Sequence, residues 1–263
     1  MAQRFLPARF LLVALVCLPT LGCGDDEPTG PVGLRPPVLG ATTFIDPDII
    51  TASDSSALTG VVANGQGSRT MFDRRVDADV TVDAWLFDAS YDDGLSVEFQ
   101  VNPEFSDTTA TRLAEEYARA VGTLPNAIRA GIDEVWVHDG EELFGAFGGS
   151  LLIHEVQARI FEVDGAFHEA LVNQAVRISL YPGHATSAGW LDAQELDNGF
   201  ISQIAQDDPE GEDLAESFLP YIAVLYGEGR VTPFLQGTII GQIPARLTYL
   251  DEQGFDMYPV DTR

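Results

Sequence analysis

The chain has 263 residues, with 41 Asp and Glu against 14 basic residues and a formal net charge of −27. Every basic residue is arginine, and there is no lysine. With 45% apolar and only 21% charged residues, this is no disordered acidic tail. A surface so negative repels phosphate, which excludes nucleic acid as a partner. The length suits one domain with a core of its own.

Residues 1–9 carry Arg4 and Arg9 and no acid, and residues 10–18 (FLLVALVCL) form an apolar run. This is a secretory n-region followed by an h-region, too short to span a bilayer comfortably. The next residues, Leu18-Pro-Thr-Leu-Gly-Cys23, resemble the end of a bacterial lipoprotein signal, with Thr20 where leucine is usual. The resemblance implies that residues 1–22 are cleaved and that Cys23 becomes the lipidated N-terminus. The membrane is then a partner through Cys23, and the protein sits in the cell envelope on the extracytoplasmic side. An ordinary cleaved signal would make it secreted instead. The charge becomes −29, because the removed segment holds two arginines and no acid. One cysteine remains, so disulfides play no part in the fold. Residues 23–42, rich in Pro, Gly and acid, read as a flexible tether, and residues 43–263 as the folded domain.

Residues 76–87 largely alternate apolar and polar, and residues 96–101 put Val97, Phe99 and Val101 on one side. Both read as half-buried strands, with Tyr91-Asp-Asp-Gly94 as the turn between them. Residues 109–121 read as a helix, since Leu113, Tyr117 and Val121 recur at helical spacing and Gly122 follows. Pro125 opens a short second helix to Arg129. Residues 134–138 and 150–154 are short apolar strands around the glycine-rich stretch 145–149. Helical periods then dominate residues 167–180, 190–196, 213–226 and 233–243. A small mixed sheet in the N-terminal half and helices in the C-terminal half predict an α+β fold with one continuous core.

Several stretches, taken in order, resemble a family of secreted bacterial gluzincin-type metallopeptidase domains, distantly like the catalytic region of anthrax lethal factor. They are Arg69-Thr-Met-Phe-Asp-Arg-Arg75, Val101-Asn-Pro-Glu-Phe105, Leu124-Pro125, Ser150-Leu-Leu-Ile-His154, Ser187-Ala-Gly-Trp190, Phe200-Ile-Ser202, residues 212–221 (EDLAESFLPY) and residues 243–249 (IPARLTY). The resemblance spans residues 43–251 and implies a zincin-like fold. In that family an HExxH helix supplies two histidines that bind zinc and a glutamate that deprotonates the metal-bound water. A glutamate on a later helix is the third ligand.

Placed between Gly165 and Trp190, the family's helix is residues 170–180. Asn173 then stands at the first histidine, Gln174 at the general base and Arg177 at the second histidine. Asn is a poor zinc ligand, Gln has no basic oxygen, and Arg repels a dication. By the same resemblance Glu212 is the third ligand and Glu216 its support, although the order can be reversed. No other register restores the motif. His168-Glu169 is followed by Val172, His154-Glu155 by Ala158, and His138 and His184 lack a helical partner. Without a cation, the guanidinium of Arg177 is expected to neutralise Glu212 or Glu216.

The strand Leu151, Leu152, Ile153 and His154 corresponds to the one that lies along the family's cleft. It is either a surface for strand addition of a peptide or an ordinary core strand. Asp73, Arg74 and Arg75 read as an internal salt-bridge group in preference to a functional patch, and the acidic runs 88–93 and 207–213 as solvated loops, since neither matches an EF-hand. The leading expectation is a non-catalytic, lipid-anchored pseudopeptidase that binds peptide or protein and needs no cofactor. The alternatives are an active zinc endopeptidase that recruits His184, and a structural envelope lipoprotein.

Overall fold

The computed structural model describes residues 33–227 and 229–260. The signal, Cys23 and the first part of the tether lie outside the described residues. From Leu34 onward the chain forms one compact unit.

The N-terminal half builds a six-stranded mixed sheet. Its strands are β1 (Leu58–Asp73), β2 (Ala78–Tyr91), β3 (Ser96–Val101), β4 (Glu134–His138), β5 (Gly145–Phe147) and β6 (Ser150–His154), in the spatial order β1-β2-β3-β4-β6-β5. The β1–β2 and β2–β3 pairs are antiparallel hairpins, β3–β4 and β4–β6 are parallel, and β5 returns antiparallel on β6 as the sheet edge. Sequence alternation placed a strand at residues 76–87. The strand runs instead from Ala78 to Tyr91, because residues 74–77 make the β1–β2 turn with Asp77 at φ 52°. The turn before β3 is as expected, with Gly94 at φ 89° supplying the left-handed conformation that a side chain disfavours.

Helix α1 (Asp107–Gly122) starts at Ser106, whose hydroxyl accepts the Thr109 amide, and buries Ala110, Leu113, Ala114, Tyr117 and Val121 on one face. α2 (Asn126–Arg129) is one turn leading into β4. After β6 come α3 (Glu155–Val163), α4 (Phe167–Ser179), α5 (Tyr181–His184), α6 (Ala188–Asp197), α7 (Gln203–Asp207), α8 (Asp213–Leu225), α9 (Pro233–Gln242) and α10 (Pro244–Glu252). α8 is buried from Asp213 to Ala223 and so forms the centre of the helical half. Phe99, Val137, Leu151 and Ile153 of the sheet share one core with Leu171, Val176, Phe218 and Ile222 of the helices. The other sheet face carries a smaller cluster around Met71, Leu86, Trp136 and Leu152. Among the described residues no helix is long and apolar enough to cross a membrane.

Two expectations change. Residues 34–42, assigned to the tether, are docked on the helical half. The Arg35 guanidinium donates to the carbonyls of Asp197, Gly241 and Gln242 at 2.6–2.7 Å, and Leu39 bridges Ser202. The acidic runs are not simply solvated. Asp93 pairs with the fully buried Arg129, and Asp213 with the fully buried Arg246, because each guanidinium is enclosed by the core and needs a counter-ion there.

Candidate functional site

Asn173, Gln174, Arg177, Glu212 and Glu216 converge on one cleft. α4 and α8 pack against each other, and a cleft of about 770 Å³ is lined by Asn173, Gln174 and Arg177 from α4 and by Glu212 and Glu216 at the start of α8. Asn173 and Arg177 are one turn apart and share a helix face. The Arg177 guanidinium forms an ion pair with Glu212, and its Nε donates to Asn173 Oδ1 at 3.2 Å. Gln174 Nε2 donates to the same oxygen at 2.9 Å. The guanidinium carbon also lies 5.7 Å from the ring of Tyr181, whose hydroxyl donates to the Gly211 carbonyl just before α8. Arg177 thus ties α4 to the entry of α8 through both its charge and its flat face.

Glu216 is held differently. It is 1% exposed, accepts the Thr42 backbone amide at 2.7 Å, and faces Asn173 Nδ2 at 3.5 Å. Burial pushes its carboxyl above the ordinary range, while contacts from Ser202 and Thr42 partly offset that. Pro220, one turn further on, has no amide to donate to the Glu216 carbonyl. Residues 41–44 cover Glu216 on one side and help wall the cleft.

The donor set does not fit zinc. The cleft offers two amides and a guanidinium from α4, and the guanidinium is paired with the Glu212 carboxylate. Among the described residues no three His, Cys, Asp or Glu side chains are gathered closely enough to hold a metal ion. His184 does not rescue the site. It is absent from the cleft lining, and its Nδ1 is 2.8 Å from the Tyr249 hydroxyl, with its ring against Phe255.

The strand Leu151, Leu152, Ile153 and His154 does not line the cleft. All four residues are buried, and β6 is flanked by β4 on one side and β5 on the other, so neither of its edges is open to a peptide. The edge strand that borders the cleft is β5, with Ala146 and the adjacent Leu143, Phe144 and Gly148 in its wall. Glycine content hid this strand from periodicity. His154 instead stands beside its register partner His138, ring centroids 5.8 Å apart, at the ends of the parallel strands. Burial holds both imidazoles below their ordinary range, His138 at about 4. Asp73 and Arg75 form the expected internal ion pair at 2.8 Å, extended to Glu104, whereas Arg74 lines the cleft.

A buried network that sequence reasoning missed braces the helices behind the site. Arg246 on α10 binds Asp197 at 2.9 Å and Asp213 at 2.8 Å, and all three side chains are fully buried. Gln194 donates to Asp213 at 2.8 Å, and the Arg246 guanidinium lies over Phe200 at 4.9 Å. Asp213 is the neighbour of Glu212, so this network fixes where α8 begins.

No family model, curated protein or solved structure matches the chain.

Proposed function

We propose that this is a lipid-anchored, extracytoplasmic domain of zincin-like type whose metal site is replaced by an internal ion pair, and that it binds an extended peptide or protein segment without cutting it. The observation that carries the reading is the Arg177–Glu212 pair, formed between the position of the second histidine and that of the third ligand. A guanidinium there supplies the positive charge that offsets the carboxylate and needs no metal. The second support is the cleft itself, which keeps a sheet edge, β5, along one wall, as strand addition requires.

Lipidation at Cys23 rests on the sequence of the signal and is read directly by mass spectrometry of the N-terminal peptide. Peptide binding is tested by panning a random peptide library against the full chain and against Gln174→Trp, which fills the cleft. Peptides that bind the native chain, fail on Gln174→Trp and are recovered intact support the proposal. Cleavage of the recovered peptides would restore the endopeptidase alternative, and equal recovery on both proteins would remove the cleft from the account.

A further inference from the structure

A second cavity, of about 360 Å³, shares no lining residue with the cleft. It lies between the segment 47–52, α1 and the start of α4. Its walls are largely apolar, from Pro47, Ile50, Ala120 and Phe167. Polar side chains interrupt them, among them His168 and Glu169, the pair that fails to complete a zinc motif, beside Thr51, Glu116, Arg119, Thr123 and Glu162. His168 is 8% exposed and Glu169 only 2%. His168 Nε2 and Glu169 Oε1 are both sealed in the wall without a hydrogen-bond partner. Buried polar atoms are nearly always satisfied, and two such atoms lining one cavity mark a place for a polar ligand, although Glu169 also takes the Ile50 amide.

The charge around the cavity chooses between ligands. Asp46 and Asp48 lie near enough to Glu169 to disfavour a second negative charge. Glu116 and Glu162 also line the cavity, both already ion-paired with Arg159. The cation in the lining, Arg119, donates to the carbonyls of Ala52 and Asp54. A carboxylate ligand would meet repulsion, and a neutral one would draw nothing from these charges. A cation gains from Glu169 and from the nearby Asp46 and Asp48, and the chain has no lysine of its own to fill the place.

We infer that this cavity binds a small organic ammonium ion, an amine on a compact apolar stem, with Glu169 as counter-ion and His168 as hydrogen-bond acceptor. The volume is at the low end for small-molecule pockets, which suits a stem of one ring or a short chain. In the empty cavity burial holds the Glu169 carboxyl protonated, with its pKa pushed up to about 8, and His168 neutral, pushed down to about 4. Docking of the ammonium ionises Glu169, and the displaced proton goes to solvent. Affinity therefore rises from about pH 6 to about pH 9. The groups facing this pair are Asp46, Asp48 and Asp54 from the preceding segment, Glu116 and Arg119 from α1, and Glu162 from α3.

The test is calorimetric titration of the full chain with 2-phenylethylammonium, 2-phenylethanol and 3-phenylpropanoate, three probes on one phenylethyl stem and of different charge. The ammonium should bind at least about tenfold more tightly than the alcohol, with proton release at neutral pH, and the carboxylate should not bind. Glu169→Gln should lose about tenfold in ammonium affinity while still folding, as its melting curve reports. Ala120→Phe, which fills the cavity without touching either polar group, should abolish binding of both the ammonium and the alcohol. Equal or tighter binding of the carboxylate or the alcohol would overturn the inference. So would unchanged affinity in either variant, or no binding of the ammonium to the native chain at about 5 mM.

Discussion

Arg177 is ion-paired with Glu212, across the junction of α4 with the entry to α8. The side chains are about a quarter exposed, 25% and 24%, so water screens the pair only in part. Arg177 also reaches Asn173 and the face of Tyr181, and its removal takes away three contacts at once.

Arg177→Met should therefore destabilise the protein by about 1 kcal/mol. Arg112→Met is the control, since Arg112 is half exposed and makes one good ion pair within its own helix, worth about 0.3–0.5 kcal/mol. Urea unfolding of the two variants reads the difference. Equal midpoints would mean that the pair does not brace the two helices.

Replacing Arg246 should have a larger effect. The guanidinium and both of its carboxylates are fully buried, so Arg246→Met leaves two carboxylates in the core without a cation. A loss of about 3–5 kcal/mol is expected, enough to leave little folded protein at 37 °C in a domain of ordinary stability. Circular dichroism against temperature measures it. A shift as small as that of Arg112→Met would show that the surrounding backbone donors suffice.

Glu169 gives the stability a pH signature. A carboxyl whose folded pKa lies above its unfolded value favours folding while both states are protonated. That contribution is lost as pH rises from the unfolded value, about 4.3, towards about 8. Glu169→Gln removes the titration. The variant should gain on the native chain steadily over this window, by a few kcal/mol at its upper end, and then level off. Denaturant titrations at several pH values across the window show it. A constant difference between the two proteins would place the carboxyl in contact with water.

Much of the architecture was legible from the chain, and the failures have physical causes. Hydrophobic periodicity located β3, β4, β6, α1, α4 and α8, because each buries one face or nearly all of itself. β1 was invisible, since most of its side chains are exposed and it is held chiefly by backbone pairing to β2. α10 was hidden because α9 ends at Gln242 and a new helix starts at Pro244, which breaks the helical period. Charged residues misled most. Arg129, Arg246 and Asp213 have the composition of a solvated face yet lie within the core. What brings Asn173, Arg177, Glu212 and Glu216 together is contact between segments about forty residues apart. Composition carries no trace of that, and only the order of weak motifs pointed to it. The excess of acid acquires particular places here, as counter-ions to buried arginines and around two cavities.

The proposed register on α4 has a constructive test. If Asn173, Gln174 and Arg177 stand where histidine, glutamate and histidine stand in a gluzincin, replacing them together should rebuild a zinc site. The variant Asn173→His/Gln174→Glu/Arg177→His removes the guanidinium that now occupies Glu212 and places two imidazoles on one face of α4. Glu212 then becomes free to act as the third ligand. Elemental analysis after dialysis against buffered zinc should find about one zinc per chain in the triple variant and far less in the native protein. Adding Glu212→Ala should weaken zinc binding by about tenfold or more, whereas Glu195→Ala, on the exposed face of α6, should not. Retention of zinc after Glu212→Ala would assign the third position to Glu216, which the Thr42 amide now holds. A triple variant that folds and takes up no zinc would show that the α4–α8 geometry is not that of a metallopeptidase, and the proposed ancestry of the cleft would fall with it.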